Sequence, residues 1–155
     1  MINFKNKKVL ITGATGGIGK SIVKRFISLE ANVLGTGTKT EKLDALKKEF
    51  PSIKTKQFDL SQHPKVEEFI ENVFQDLNGL DILVNNAGVN VDNLSLRMKE
   101  EEWKKVIDIN LTSTFLLSKY GIKKMLKNKF GRVVNITSIV GHSGNLGQAN
   151  YAASK

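Results

Sequence analysis

The sequence predicts an α/β fold in which helices cover both faces of a doubly wound parallel sheet, a three-layer α/β/α arrangement. Two observations predict it. Short, continuous apolar runs alternate strictly with stretches of helical periodicity along the 155 residues, and no repeat or low-complexity segment interrupts that order. Strands connected through helices pair in parallel by right-handed crossovers, which places helices on both sides of the sheet. We expect a single domain, residues 1–155.

Five apolar runs predict the strands. They are short and rich in branched side chains, as strands buried on both faces require. The predicted strands are Val9–Ile11, Asn32–Gly35, Thr55–Leu60, Asp81–Asn85 and Arg132–Thr137. A sheet that stops at the fifth strand would expose an apolar edge.

Four helices are predicted between these strands, from apolar residues three and four apart and from residues that favour helix ends. They are Gly19–Glu30, a helix capped by Thr40 and stopped by Pro51, a helix with Pro64 in its first turn and Asn78-Gly79 at its end, and a long stretch from about Lys99 to Lys127. In the long stretch, the residues expected to face inward are Trp103, Val106, Ile107, Phe115, Leu116 and Met125.

The composition excludes several classes of protein. The chain has no cysteine, which excludes disulfides and thiolate metal sites, and we expect no metal ligand set. No apolar run is long enough for a membrane helix and the amino terminus lacks a signal-peptide pattern, so the sequence predicts a cytoplasmic protein. The net charge is +9, which is typical of nucleic-acid binding, but 21 of the basic residues are Lys and a bias toward Lys explains the excess at least as well.

The segment between the first strand and the first helix is rich in glycine. Thr12–Gly19 carries glycine at four of its eight positions. Glycines in such a turn permit a tight bend, close approach of the backbone to a pyrophosphate and close packing of helix on strand. The free N–H groups at the start of the helix then favour phosphate. A plain strand-to-helix turn is the alternative.

The end of the second strand bears on the choice between NAD and NADP. An acidic residue there binds the ribose 2′-hydroxyl of NAD, whereas polar or basic residues accommodate the 2′-phosphate of NADP. The chain offers Thr36–Lys39 at this position, with no carboxylate before Glu41. The sequence therefore favours NADP.

Polar residues also follow the fourth and fifth strands, Asn85–Gly88 and Ser138, at the edge where open α/β sheets bind ligands. Farther along, Tyr151 and Lys155 are four residues apart and share one face of a helix. A lysine ammonium beside a phenol favours the phenolate, which makes Tyr151 a usable proton donor at neutral pH. Such a pair on an exposed helix more often has no function beyond contact with solvent. The prediction therefore depends on the pair together with the glycine-rich turn and the polar residues at the strand ends.

Together these motifs resemble the short-chain dehydrogenase/reductases, a family with a dinucleotide-binding Rossmann domain. The matching residues follow the order of that family: Thr12, Gly13, Gly17, Gly19, Asn86, Ala87, Gly88, Asn110, Ser138, Tyr151 and Lys155. Within the family, the segments Gly88–Trp103 and Gly147–Lys155 resemble the 3-oxoacyl-[acyl-carrier-protein] reductases of bacterial fatty-acid synthesis.

The resemblance implies NADPH-dependent reduction of a 3-oxoacyl thioester to the 3-hydroxyacyl form, with a role for each of four residues. Tyr151 would protonate the carbonyl oxygen as hydride arrives, and Ser138 would hydrogen-bond that oxygen. Lys155 would stabilise the Tyr151 phenolate and hold the nicotinamide ribose. Asn110 would support a water-linked proton path to Lys155; a buried Asn satisfied by the backbone at a helix kink is the alternative.

The resemblance also implies the residues that bind NADP(H). Asp59 and Leu60 would border the adenine, although a strand-end Asp is often only a turn former, and Thr38 would lie near the 2′-phosphate. The implied set is Gly13, Thr15, Gly17, Ile18, Gly19, Thr38, Asp59, Leu60, Asn86, Ala87, Gly88, Tyr151 and Lys155. NADP-using relatives often carry a basic residue where this chain has Gly16, and Lys39 is the candidate to compensate.

Acyl carrier protein is acidic, so the resemblance gives the basic charge a partner. The segment Lys123–Phe130 would face it near the site entrance, with Lys129 as the residue to test. A solvated helix end, with Lys complementing the helix dipole, is the alternative. We expect no nucleic-acid or membrane partner, and a homotetramer for the full-length form.

The chain ends at Lys155, one turn into the helix that carries the site, whereas the family continues through two more strands. We therefore expect the carboxyl-terminal portion of the domain to be missing. Three hypotheses follow: the amino-terminal part of an NADP-dependent 3-oxoacyl reductase, a non-catalytic dinucleotide-binding remnant, or a basic protein that uses the fold to bind nucleic acid or another acidic partner. A short-chain reductase for another carbonyl or alcohol substrate also stays open.

Overall fold

The computed structural model describes residues 3–155 and contains a five-stranded parallel sheet in the order β3-β2-β1-β4-β5. The strands are β1 (Lys8–Ile11), β2 (Asn32–Gly37), β3 (Lys54–Gln57), β4 (Ile82–Asn85) and β5 (Arg132–Asn135). The predicted doubly wound α/β fold is confirmed.

Helices connect the strands and follow the last one. They are α1 (Gly17–Ser28), α2 (Thr40–Glu49), α3 (Val66–Leu77), α4 (Glu100–Ile107), α5 (Ser113–Lys127), α6 (Val140–Ser143) and α7 (Ala149–Ser154), with a 3₁₀ turn at His63–Lys65 and a π turn at Asp108–Thr112. Among the described residues, none of these helices has the length and apolar character needed to cross a membrane.

The central strands are buried on both faces, and each face has its own hydrophobic core. Leu10, Leu34 and Leu83 pack on one side beneath α3 and α5. Val9 and Val84 pack on the other side beneath α1 and α2. Successive strand residues point to opposite faces, so a strand covered on both sides is apolar at every position. This explains why the strands are continuous apolar runs in the sequence.

β1 lies in the middle of the sheet, paired with β2 on one side and β4 on the other. The chain first winds outward through β2 to β3 and then returns to the far side of β1 for β4 and β5. The direction of winding therefore reverses between β1 and β4. At such a point the connections leave the sheet in opposite directions and open a crevice at the carboxyl ends of the strands.

The second and third strands differ from their predicted limits. β2 continues past Gly35 to Gly37, because β3 pairs with it over that length. β3 ends at Gln57, and not at Leu60 as predicted. Phe58 still donates its N–H to the carbonyl of Gly37 at 3.0 Å, but the chain then turns inward and Leu60 enters the core.

The prediction that Thr40 caps α2 is wrong. The helix includes Thr40, and Lys39 occupies the cap position without a side-chain hydrogen bond. The Thr40 hydroxyl instead donates to Oε1 of Gln57 at 3.2 Å, across to the end of β3.

The long helical stretch has the predicted extent but is not uniform, because the π turn separates α4 from α5. The wider π turn rotates the following residues about the helix axis, so no single stripe with a 3.6-residue period faces the core throughout. Val106 and Met125 are buried as predicted. Trp103 and Phe115 are exposed, Phe115 by 63%, and the prediction that they face inward is wrong.

β5 forms one edge of the described sheet. Val134 on this strand is 42% exposed, and Ile139 beyond it is exposed as well. The predicted apolar edge beside the fifth strand is therefore present.

Candidate active site

A cavity of about 770 Å³ opens at the carboxyl ends of the strands, within the size range of cofactor pockets. The turns that follow β1 and β4, the ends of β2 and β3, the segment after β5 and helix α7 all contribute to its lining. Every residue of the predicted site except Asn110 lines it: Gly13, Thr15, Gly17, Ile18, Gly19, Thr38, Asp59, Leu60, Asn86, Ala87, Gly88, Ser138, Tyr151 and Lys155.

The turns that follow β1 and β4 are hydrogen-bonded to each other. The Thr12 hydroxyl oxygen accepts the backbone N–H groups of Asn86 and Ala87 at 3.1 and 3.0 Å. In return, the Asn86 amide donates to the carbonyls of Thr12 and Gly13 at 2.9 and 3.1 Å. Both turns are thereby fixed side by side at the floor of the cavity.

This arrangement requires glycine at two positions. A Cβ on Gly13 would lie 2.8 Å from Cα of Ala87, and φ of Gly13 is +62°, which favours glycine. A Cβ on Gly19 would lie 2.2 Å from the carbonyl oxygen of Gly13. These two glycines therefore let the β1 turn contact both the β4 turn and the start of α1.

The start of α1 faces the cavity. Gly16 precedes the helix in an extended conformation, no side chain caps it, and its first turn holds no acidic residue. Gly16, Gly17 and Ile18 line the cavity. The N–H groups of a first helical turn have no intrahelical acceptors, and together with the helix dipole they favour a bound anion.

Polar groups line the end of the cavity beside β2 and β3. The Gln57 amide donates to the carbonyl of Thr38 at 2.9 Å, which connects the two strand ends. Asp59 accepts the N–H of Ser61 at 2.9 Å and so forms the turn that the sequence also allowed. Lys39 is not among the residues that line the cavity.

Tyr151 and Lys155 enter the cavity from α7. The Lys155 ammonium nitrogen lies 5.9 Å from the centroid of the Tyr151 ring and donates to the carbonyl of Ile136 at 3.0 Å. Burial of the ammonium holds the pKa of Lys155 below its ordinary value of 10.5. Ser138, just past β5, lines the same cavity, and its hydroxyl oxygen accepts the N–H of Val140 at 3.2 Å.

Asn110 is buried in the π turn and does not line the cavity. Its side-chain oxygen accepts the N–H of Val89 at 2.8 Å, and its amide donates to the carbonyl of Val89 and to Oγ of Ser154, both at 2.9 Å. The side chain therefore connects the π turn to the loop after β4 and to α7. Two of its three hydrogen bonds go to the backbone of Val89, which agrees with the alternative of a buried Asn satisfied by the backbone.

Gly88 separates Asn110 from the lysine. A Cβ on Gly88 would lie 3.3 Å from the side-chain oxygen of Asn110 and 3.3 Å from Nζ of Lys155. The missing side chain leaves space between these two polar groups.

Sequence reasoning did not find three polar residues that organise the site. Thr12 was part of the glycine motif, but its role as a double acceptor was not predicted. Asn150 and Ser154 are buried in α7. Their one signal in the sequence is their separation by four residues, the same as that of Tyr151 and Lys155.

The loop before α4 is held by Glu102. Its Oε2 accepts the N–H of Lys99 at 2.8 Å and the amide of Asn93 at 3.0 Å. These two hydrogen bonds, the one from Lys99 first, hold the pKa of the Glu102 carboxyl below its ordinary value of 4.5. Asn93 also donates its N–H to the carbonyl of Gly147 at 2.9 Å, which joins this loop to the segment before α7.

The lysine-rich segment Lys123–Phe130 does not lie at the site entrance, and that prediction is wrong. The segment directly precedes β5, and the Lys7 ammonium, just before β1, lies 4.0 Å from the centroid of the Phe130 ring, so the segment ends at the amino edge of the sheet, opposite the cavity. Lys123 and Lys124 form ion pairs with Glu67 and Glu71 of α3. Lys129 forms no ion pair with the other described residues.

The model of the short chain dehydrogenase family matches residues 7–155. This chain belongs to the short chain dehydrogenases. Members of this family are oxidoreductases that use a nicotinamide dinucleotide. The cavity lies at the carboxyl edge of the sheet, where open α/β folds bind such cofactors.

Three relatives give this short chain dehydrogenase a more specific context, and each bears the name 3-oxoacyl-[acyl-carrier-protein] reductase FabG. The protein of Rickettsia bellii (strain RML369-C) is 46% identical over 155 residues, which are 100% of this chain and 63% of the relative. That of Escherichia coli (strain K12) is 41% identical over 155 residues, 99% and 64% of the two chains. That of Aquifex aeolicus (strain VF5) is 38% identical over 159 residues, again 99% and 64%. The chain thus spans less than two thirds of the length of these relatives.

Substitution of Gly19 tests the packing of the β1 turn in this short chain dehydrogenase. We expect Gly19→Ala to lower the free energy of unfolding by about 1–3 kcal/mol, because the new methyl group overlaps the Gly13 carbonyl. Gly17→Ala is the matched control, since a Cβ there meets nothing within 4 Å. Urea denaturation followed by circular dichroism measures both. Equal stability of the two variants would contradict the packing argument.

Glu102 is expected to make the folding stability of the protein depend on pH under acidic conditions. Because the pKa of Glu102 is lower in the folded chain than in the unfolded one, its stabilisation is complete above about pH 4.5 and is lost as the pH falls through the folded-state value. We expect Glu102→Gln to lower Tm at pH 7 and the difference from the parent protein to shrink below pH 4.5. Glu101→Gln, an exposed neighbour, is the control. A Tm difference that is constant with pH rejects this role.

Proposed function

We propose that this chain carries the dinucleotide site and the catalytic groups of a reductase that converts 3-oxoacyl thioesters, carried on acyl carrier protein, to 3-hydroxyacyl thioesters with NADPH. One observation carries the proposal. The glycine-rich turn and the Tyr151–Lys155 pair, more than 130 residues apart in sequence, line one cavity. The names of the relatives, 3-oxoacyl-[acyl-carrier-protein] reductases, support the choice of substrate.

The cavity fits a dinucleotide on structural grounds. No side chain fits at Gly13 or Gly19 on its floor, so the backbone there stays bare. The start of α1 beside them favours a bound phosphate. The buried Thr36 hydroxyl, at the end of β2 beside the cavity, has no hydrogen-bond partner among the described residues. In the proposed complex the glycine turn holds the pyrophosphate, Asp59 and Leu60 border the adenine, and Lys155 holds the nicotinamide ribose.

The proposed chemistry is the addition of hydride and proton to a ketone. Bound in this cavity, a reduced nicotinamide supplies the hydride, which goes to the carbonyl carbon. Tyr151 gives its phenolic proton to the carbonyl oxygen, so that the C=O group becomes CH–OH. Ser138 donates a hydrogen bond to the same oxygen and fixes its position. The Lys155 ammonium stabilises the phenolate that remains on Tyr151, and Asn110 supports the return of a proton by way of Lys155.

The preference for NADPH rests on charge at the end of β2. Thr36, Gly37 and Thr38 line the cavity there and contribute no carboxylate that would repel a 2′-phosphate. Among the described residues, Asp59 is the one acidic side chain in the cavity lining. Acyl carrier protein is the proposed partner because it is acidic, whereas the chain carries a net charge of +9.

Removal of the Tyr151 hydroxyl tests the chemical step. We expect Tyr151→Phe to lower kcat for NADPH-dependent reduction of acetoacetyl thioester by about 10²–10⁴-fold, the usual contribution of a general acid, while NADPH still binds. Tyr120→Phe, which changes the other tyrosine of the chain, is the matched control. The assay uses the 155-residue chain and, where the reading frame continues, the extended protein. Turnover by Tyr151→Phe at the parent rate would reject the mechanism, and NADPH binding without turnover in either protein would favour a non-catalytic remnant.

An added charge at Gly16 tests the cofactor preference. A Cβ on Gly16 would lie 3.5 Å from the nearest atom outside its neighbours, the Gly13 oxygen, and φ is −79°, so a side chain fits without strain. We expect Gly16→Arg to lower the Kd of NADPH about tenfold, because the guanidinium pairs with the 2′-phosphate, and to leave NADH unchanged. Gly16→Gln serves as the uncharged control. Equal effects on the two cofactors would show that the 2′-phosphate does not lie beside this turn.

A further inference from the structure

Helix α7 carries Tyr151 into the cavity, and Lys155 follows directly at its end. Three of its residues are alanines, which bury little apolar surface. Its placement therefore depends on contacts other than a large apolar face.

Two polar side chains of α7 supply such contacts. Asn150 is 0% exposed and Ser154 is 6% exposed. They are four residues apart, so they share one face of the helix. A buried polar group costs free energy unless it is hydrogen-bonded, and both side chains bond to neighbouring elements as well as to the backbone of α7.

Asn150 connects the start of α7 to two other elements. Its amide donates to the carbonyl of Val91, in the loop after β4, at 2.9 Å and to the carbonyl of Glu102, in α4, at 3.3 Å. Its side-chain oxygen accepts the N–H of Tyr151 at 2.7 Å. That N–H lies in the first turn of the helix and has no intrahelical acceptor, so Asn150 satisfies it.

Ser154 connects the end of α7 to the π turn. Its hydroxyl accepts the amide of Asn110 at 2.9 Å and donates to the carbonyl of Tyr151 at 2.8 Å. A continuous path of two hydrogen bonds thus runs from Asn110 to the backbone of the residue that carries the phenol.

The two pairs on α7 are offset by one residue. Asn150 and Ser154 face the protein, and Tyr151 and Lys155, each one position later, line the cavity. One residue corresponds to about 100° of rotation about the helix axis. Any rotation of α7 that releases the buried pair therefore moves the phenol and the ammonium.

We propose that Asn150 and Ser154 are positioning residues, which fix the rotation and depth of α7 and thereby the placement of Tyr151 and Lys155 against the nicotinamide half of a bound dinucleotide. They act through those two residues and touch neither substrate nor cofactor. The proposal rests on the proposed dinucleotide site. It does not depend on which carbonyl compound is reduced.

Binding of two ligands to Ser154→Ala tests the proposal by isothermal titration calorimetry. The ligands are NADPH and adenosine 2′,5′-bisphosphate, which lacks the nicotinamide and its ribose. We expect the variant to bind NADPH about fivefold or more weakly, because Lys155 no longer meets the nicotinamide ribose in the right position, and to bind adenosine 2′,5′-bisphosphate like the parent protein. Ser154→Thr keeps the hydroxyl and restores the affinity for NADPH.

Ser143→Ala is the matched control. This exposed serine on α6 loses the same hydroxyl, but its hydrogen bonds go to the carbonyls of Ile139 and Gly144 on its own turn. We expect it to bind both ligands normally. Asn150→Ala is the second test variant and is expected to show the same selective loss as Ser154→Ala.

Two results would overturn the proposal. Unchanged NADPH affinity in Ser154→Ala shows that the hydroxyl does not position the site. An equal loss for both ligands shows a general structural role, because the residues proposed to border the adenine, Asp59 and Leu60, follow β3, whereas Ser154 lies in α7. Failure of the proposed function is distinct: selective loss of NADPH affinity, without reduction of 3-oxoacyl thioesters by the parent protein, supports positioning and rejects that substrate.

Discussion

The close approach of the turns after β1 and β4 is the constraint on which the site depends. The two turns belong to neighbouring strands in the sheet but lie more than 70 residues apart in the chain. The Thr12 hydroxyl and the Asn86 amide join them, and the absence of a side chain at Gly13 permits the contact. This contact fixes where the chain leaves the sheet on each side of the crevice, and the cavity takes its floor from it.

The two ends of the cavity are held by different forces. Beneath the glycine turn, β1 and β4 are buried between two apolar cores, so the turn follows directly from the interior of the sheet. At the other end, Asn110, Asn150 and Ser154 hold α7 through hydrogen bonds. Hydrogen bonds depend on direction more than apolar contacts do, so these bonds define the orientation of α7.

The sequence was sufficient for the fold because the buried strands leave a strong local signal. A run such as Val9–Ile11 is apolar at every position, and the structure buries each residue. The exposure of Phe115 did not follow from the sequence pattern, because the π turn between α4 and α5 breaks the 3.6-residue period on which the prediction rested. The roles of Thr12 and Ser154 were not predicted for a similar reason. Their hydroxyl groups bond to residues 74 and 44 positions away, and such distant partners leave no periodic pattern in the sequence.

Partial burial of the Lys155 ammonium reduces the folding stability of the protein. Burial lowers its pKa in the folded state, so the folded chain binds this proton less tightly than the unfolded chain does. The charged form therefore disfavours folding below the folded-state pKa, and the penalty disappears as the pH rises through the ordinary value of 10.5. The Ile136 carbonyl offsets part of this penalty by accepting a hydrogen bond from the ammonium. A partly buried charge of this kind is unfavourable as a packing choice, and its place beside the Tyr151 ring supports the role proposed for Lys155.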